Sequence, residues 1–271
     1  MPYQISLSDE LCLRADIIPC AHFCRYCCIS SKAEDRQPQI PLSRFYALAD
    51  RFEEWGRVSG FSVYDVVHNS DDITEEVAAF LDKTIGPSGT VHSKPVTPKD
   101  ARLRMDTVRT GGVKFRTDDG IREWLSRWRD AGSTIVHGSF AGHRESHDWW
   151  NNRQGDYDFL MRIQKIAVEM GFQISQTIFL TKKALPFLNG LLDDLASLDA
   201  KPVNRWAFPP AYMGRARSTS AENQRISEED RDKLIENRTL IETYEIEELK
   251  SERELIRSSQ NYVFESRYTL A

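Results

Sequence analysis

At 271 residues, with 40% hydrophobic and 28% charged residues, 14 Gly and 11 Pro, the chain has the composition of a folded globular protein with enough apolar sequence for a core, which excludes disordered and fibrous classes. A formal net charge of -5 and a pI near 5.8 give no general field for a polyanion, so nucleic acid is disfavoured as a partner against a small molecule or a peptide. The N-terminus MPYQISLSDELCLRAD has no basic start before an apolar run, and no uninterrupted apolar stretch of about 18 residues occurs, so a cytoplasmic protein without a membrane partner is expected.

Apolar, β-branched runs alternate with amphipathic helical stretches, the pattern of repeated βα units and a mainly parallel sheet, and about six such units can be counted. LCLRADII (11–18) predicts the first strand, the loop after it is rich in cysteine, and SRFYALADRFEEWG (43–56) predicts the first helix. FSVYDVV (61–67) is the second strand, HNSDD its exit loop, and ITEEVAAFLDKTIG the helix that Gly86 and Pro87 stop. DTVRTGG (106–112) is the third strand, followed by the helix DDGIREWLSRWRDAG. STIVHGSF (133–140) is the fourth strand, followed by a long polar loop and the helix DYDFLMRIQKIAVEMG. FQISQTIFL (172–180) and LPFLNGLLDDLASL form the fifth pair, and VNRWAFPP (203–210) is the sixth strand. The fold class expected is α/β: a partial (β/α)6, TIM-like barrel over 1–217, with a C-terminal extension over 218–271. Within that extension the charged run 241–257 predicts a solvated helix, and NYVFESRYTLA alternates like a strand and ends without a cap, as an open-ended chain would. In either a barrel or an open parallel sheet, function gathers at the C-terminal ends of the strands, where the cysteine loop lies.

CAHFCRYCC (20–28) holds four of the five cysteines. Five cysteines, an odd number with four of them clustered, make a poor disulfide framework in a reducing compartment, which directs attention to metal or redox chemistry. Cys20, Cys24 and Cys27 make C-x3-C-x2-C, and three thiolates this close on one loop suit three irons of a cubane [4Fe-4S] cluster, leaving the fourth iron open. Zinc is the rival metal, but a structural zinc site wants four ligands, usually as two separated pairs, and no second pair exists here. Cys28 follows a complete motif and reads as an extra small apolar residue; Cys12 alternates into the first strand and reads as core.

With an aromatic residue, Tyr26, before its third cysteine, and a strand ahead of it, this motif resembles that of the radical SAM superfamily. RTGGV (109–113) is similar to the third-strand turn of the branch that includes the molybdopterin cyclase and the peptide maturases. GSFAGHRESHD (138–148) is similar to that branch's fourth-strand segment, and PPAYMGRAR (209–217) to its segment after strand six. The resemblance covers residues 11–217 and implies a partial (β/α)6 barrel with a [4Fe-4S] cluster on Cys20, Cys24 and Cys27. It further implies S-adenosylmethionine on the open iron, cleaved by one electron to a 5′-deoxyadenosyl radical that abstracts hydrogen from a small-molecule or peptide substrate. Reduced flavodoxin or ferredoxin is the implied electron donor. By the same resemblance the Tyr26 backbone meets the adenine, Ser139 and Gln176 meet the ribose or the methionyl carboxylate, and Arg153 meets that carboxylate. Where the family has Gly-Gly-Glu after strand two, for the methionyl amino group, this chain has Asn69, Ser70 and Asp71; Asp71 keeps the charge, and Asn tolerates positive φ. The alternative reading of that change is a catalytically degenerate fold serving as a binding or scaffold subunit.

Peptide-modifying members of the superfamily it resembles usually add a cysteine-rich C-terminal domain, and no cysteine follows Cys28 here, so one cluster is expected if the chain is complete. Trp124 and Trp128, four apart on a predicted helix, are expected in its buried face. Trp149 and Trp150 lie in the polar loop after strand four, where one of them is expected to face the substrate cavity. His137, His143 and His147 cluster around the same loop and are read as hydrogen-bonding or loop-packing groups rather than a second metal site.

Overall fold

A computed structural model describes residues 23–27, 107–130, 132–200, 202–210, 224–235 and 245–246. The strands and helices of the first two predicted βα units lie outside these residues. From the third onward, β1 (Thr107–Arg109) leads through α1 (Asp118–Asp130) to β2 (Ile135–Phe140). The short helix α2 (Glu145–Asn151) and the longer α3 (Asp156–Glu169) then lead to β3 (Gln173–Phe179). A 3-10 turn (Leu185–Phe187) and α4 (Leu188–Ala196) lead to β4 (Asn204–Phe208), and a second 3-10 turn (Glu228–Asp230), α5 (Arg231–Ile235) and β5 (Glu245–Ile246) follow. All neighbouring strands pair in parallel, in the order β1-β2-β3-β4-β5. Parallel strands in sequence order with helices between them form an arc of a TIM-like barrel, as expected, and among the described residues the arc does not close.

The helices pack on one face of this arc through stripes at helical spacing. Ile121, Trp124, Leu125 and Trp128 of α1 are buried, as are Leu160, Ile163 and Ala167 of α3 and Leu188, Leu191, Leu192 and Leu195 of α4. They meet Val136, Phe140, Ile174, Ile178 and Ala207 of the strands in one core. Trp124 and Trp128 thus stand in the helix-sheet core. Gly138 is what lets α3 lie close: a Cβ there would sit 3.1 Å from Gln164 Nε2 and 3.1 Å from the Phe140 ring. Because side chains alternate across a strand, His137 and Ser139 emerge on the opposite, inner face.

Two parts of the C-terminal stretch depart from expectation. Within the run predicted as a solvated helix, Glu245 and Ile246 are strand, with Trp206 opposite Glu245 and Ala207 opposite Ile246. The unpaired edge of β4 offers hydrogen bonds that override the helix propensity of a Glu-rich segment, and the Tyr and Ile around Glu245 suit a strand. Residues 224–235 fold back on the end of β3: Lys182 N–H donates to the Gln224 carbonyl (2.7 Å), Thr181 bridges Arg225, and Ile226 and Leu234 enter the core. Ile226 and Leu234 of the extension therefore belong to the core between helices and sheet.

Trp124 is almost wholly enclosed, so Trp124→Ala should lower stability by about 3–5 kcal/mol in urea unfolding of the full chain. An unchanged urea midpoint would show that α1 does not hold the core as described.

Candidate functional site

Phe23–Cys27 form a tight turn, in which the Cys27 N–H donates to the Cys24 carbonyl (3.2 Å). Cys24 and Cys27 are half-buried thiols rather than halves of a disulfide. The two residues between them fasten the turn to the C-terminal end of the strands. Tyr26 packs its ring on Phe179, the last residue of β3, with centroids 4.4 Å apart, and near Trp150 at 6.3 Å. Burial first, and then the adjacent Cys24, hold the Tyr26 phenol well above the ordinary tyrosine value, so it stays neutral. Arg25 reaches α2: its backbone N–H donates to the Trp150 carbonyl (2.7 Å), its Nε to the Trp149 carbonyl (2.9 Å) and its Nη2 to Asn152 Oδ1 (3.2 Å).

α2 is itself locked onto the start of α3. His147 is fully buried; its Nδ1 accepts the Ala141 N–H (3.0 Å), which leaves the proton on Nε2 to be donated to Asp156 Oδ2 (3.3 Å). Asn151 Nδ2 donates to the same carboxylate oxygen (2.6 Å). Asp148 accepts the N–H groups of Gly155 (2.6 Å) and Tyr157 (2.9 Å), satisfying donors at the N-terminus of α3 that no helical carbonyl can reach. Gly142 allows the loop to enter this arrangement, since at φ 116° a Cβ would fall 2.5 Å from Ser146 Oγ.

The three histidines therefore diverge. His147 points into the α2–α3 contact, His143 Nε2 lies 3.2 Å from Asp194 Oδ2, and His137 stands on the inner face of the sheet. Among the described residues no three His, Cys, Asp or Glu side chains are grouped to hold a metal ion. Trp150 is wholly buried beside Ala141, whereas Trp149 is half-buried, with the Arg25 guanidinium 4.5 Å and Lys183 Nζ 3.9 Å from its ring centroid.

On the inner face, β2–β3 register puts His137 beside Ser175 and Ser139 beside Thr177, with Trp206 of β4 next in that row. His137 joins two of these, Nδ1 to Ser175 Oγ (2.9 Å) and Nε2 to Ser139 Oγ (3.2 Å). Ser139 is thus on the face that the cysteine turn overhangs. Gln176 is not: its register partners are Gly138 and Arg205, which places it on the helix-facing side, away from Ser139. Arg153 Nη1 donates to the Val113 carbonyl (2.6 Å) and pairs with Asp156 (3.3 Å), and its guanidinium lies 3.6 Å from the Phe115 ring centroid. It ties the turn after β1 to the α2–α3 loop. Cys20, Asn69, Ser70 and Asp71 lie outside the described residues.

A family model described as the radical SAM superfamily matches residues 19–183, more than half of the chain. The chain belongs to the radical SAM superfamily. The match runs from the cysteine motif through β3 to Lys183. No curated protein matches its sequence. Among solved structures the fold is similar to Streptococcus suis SuiB bound to precursor peptide SuiA, at 12% identity and a TM-score of 0.52, covering 88% of this chain and 48% of that one. SuiB bound to S-adenosylmethionine matches at 11% identity and a TM-score of 0.45, covering 94% and 48%. The chain thus spans about half the length of SuiB.

Sequence reasoning singled out the cysteines and Tyr26 but missed the Arg25 socket and the Asp148 cap. Arg25 carries no spacing signal, because its partners lie 124 and 127 residues away. Asn152 offered one: an Asn at the end of a helix favours the left-handed conformation it adopts, φ 52°, ψ 40°. Asp148→Ala strands two backbone donors, so urea unfolding of that variant should show a loss of about 1–2 kcal/mol. A loss near zero would mean that Asp148 does not cap α3.

Proposed function

We propose that Cys20, Cys24 and Cys27 hold three irons of a [4Fe-4S] cluster and that the chain uses S-adenosylmethionine to start a radical reaction on a peptide or small molecule. The observation that carries the reading is the placement of Cys24 and Cys27: two thiols on one hydrogen-bonded turn, seated at the C-terminal end of β3, where barrel enzymes keep their chemistry. The donor set fits. Thiolates are the natural ligands of iron-sulfur clusters, and the residues between these two turn their side chains to Trp149, Asn152 and Phe179. When bound, the cluster and S-adenosylmethionine supply one-electron cleavage of the sulfonium and a 5′-deoxyadenosyl radical able to take a hydrogen atom from substrate.

The chain's own residues then bind and orient. The Tyr26 backbone is assigned to the adenine, Ser139 to the ribose or carboxylate, and Asn69, Ser70 and Asp71 to the methionyl amino group. The inner-face position of Ser139, with its hydroxyl held by His137, supports its part. Gln176 and Arg153 are left out of this set, since the one faces the helices and the other is engaged by Val113 and Asp156. Trp206, 37% exposed on the inner face beside Thr177, offers an apolar surface to substrate. A peptide is the favoured substrate class, supported by the fold shared with SuiB, which was solved with a precursor peptide. Reduced flavodoxin or ferredoxin is assigned as electron donor, and the cytoplasm as compartment. No helix among the described residues is long and apolar enough to cross a membrane.

Anaerobic reconstitution followed by iron and sulfide analysis tests the ligand set. The native chain, Cys12→Ala and Cys28→Ala should each hold about four irons and four sulfides, whereas Cys20→Ala, Cys24→Ala and Cys27→Ala should each lose most of them. Full loading of the Cys24 variant, or zinc in place of iron in the native chain, would overturn the assignment.

A further inference from the structure

The last four carbonyls of any helix lack partners within it, and the negative end of the helix dipole lies there. α2 spans Glu145–Asn151, and at its C-terminal end a residue 124 positions before Trp149 supplies donors. Arg25 gives its backbone N–H to the Trp150 carbonyl (2.7 Å) and its Nε to the Trp149 carbonyl (2.9 Å). Its Nη2 goes to Asn152 Oδ1 (3.2 Å), and its guanidinium lies against the Trp149 indole (4.5 Å). A cation at a helix C-terminus is favourable, and a planar guanidinium can bond and stack at once. The socket is rigid for reasons independent of the turn: His147 and Asn151 of α2 are buried on Asp156, and Asp148 accepts the Gly155 and Tyr157 N–H groups.

We propose that Arg25 is a positioning residue that seats the cysteine turn on the C-terminal end of α2 through protein contacts alone, so that Cys24 and Cys27 meet the cluster already in place. The inference deepens the cluster reading and rests on it for its purpose, though not for its geometry. Arg25 touches neither cofactor nor substrate in this account; it acts through the two thiols that flank its turn. Preorganisation of this kind lessens the ordering that binding must otherwise impose. Lysine cannot replace it fully, since an ammonium keeps the charge but lacks the fork and the flat face that rests on Trp149.

The test is amide hydrogen exchange on the metal-free full chain, read at Arg25 and Cys27, whose N–H groups bond to Trp150 and Cys24. Arg25→Gln should exchange about tenfold faster at both positions than the native chain, and Arg25→Lys should recover part of the protection. After reconstitution, Arg25→Gln should hold less iron than the native chain, with Arg25→Lys between them. Equal exchange in Arg25→Gln and the native chain would overturn the proposal. Should Arg25→Gln fail to fold, Asn152→Gly decides: glycine keeps the left-handed conformation and removes the side-chain amide whose Oδ1 accepts from Arg25, so faster exchange at Arg25 supports the socket and unchanged exchange refutes it. If the native chain takes up no iron, the cluster reading fails, while the exchange comparison still judges the clamp.

Discussion

The parallel register between β2 and β3 is the constraint on which the site depends. It runs from Ile135 opposite Gln173 to Phe140 opposite Ile178, and it sorts each strand's side chains onto two faces. Val136, Phe140, Ile174 and Ile178 go to the helices and bury apolar area; His137, Ser139, Ser175 and Thr177 go to the inner face. A slip of one residue along either strand would turn that strand over, putting His137 and Ser139 into the core if β2 moved, or Ser175 and Thr177 if β3 moved. Burial of polar groups without partners would then cost several kcal/mol, so the core itself fixes which residues the interior of the barrel presents.

The second layer of organisation is the segment from Ala141 to Tyr157. Within it, consecutive residues serve different neighbours: Trp149, Trp150 and Asn152 hold Arg25, Arg153 holds the Val113 carbonyl, and His147, Asp148 and Asn151 hold α3. The loops after β1 and β2 and the cysteine turn are thereby bound to one short helix. Seven residues are too few for a helix that is stable alone, so α2 exists because this packing exists. The fold and the site are in this respect one set of interactions.

That dependence explains what the sequence discloses and what it conceals. Strands three to six and their helices are legible because apolar runs and stripes of period near 3.6 reflect burial that each segment carries by itself: STIVHGSF, FQISQTIFL and the Trp124–Trp128 spacing are local signals. GHRESHDWWNN reads as a polar loop because α2 has no capping side chain at Arg144 and is held instead by the contacts of His147 and Asn151 with Asp156, beyond its own last turn. The Glu245–Ile246 strand is hidden for a similar reason: its partner is the edge of β4. Cys24, Cys27 and Tyr26 are visible as a motif, and the alternation of STIVHGSF puts Ser139 on the same face as His137. A single step along β3 decides which face a side chain takes, and it separates Gln176 from Ser175 and Thr177.

The central claim is that the turn seated on α2 presents thiols to a cluster with one iron open to S-adenosylmethionine. Electron paramagnetic resonance of the anaerobically reconstituted, dithionite-reduced full chain, recorded with and without S-adenosylmethionine, tests it most directly. The account predicts a reduced [4Fe-4S] signal whose g values shift when the cofactor is added, accompanied by release of 5′-deoxyadenosine. A cluster signal indifferent to the cofactor, or no cluster signal at all, would contradict it.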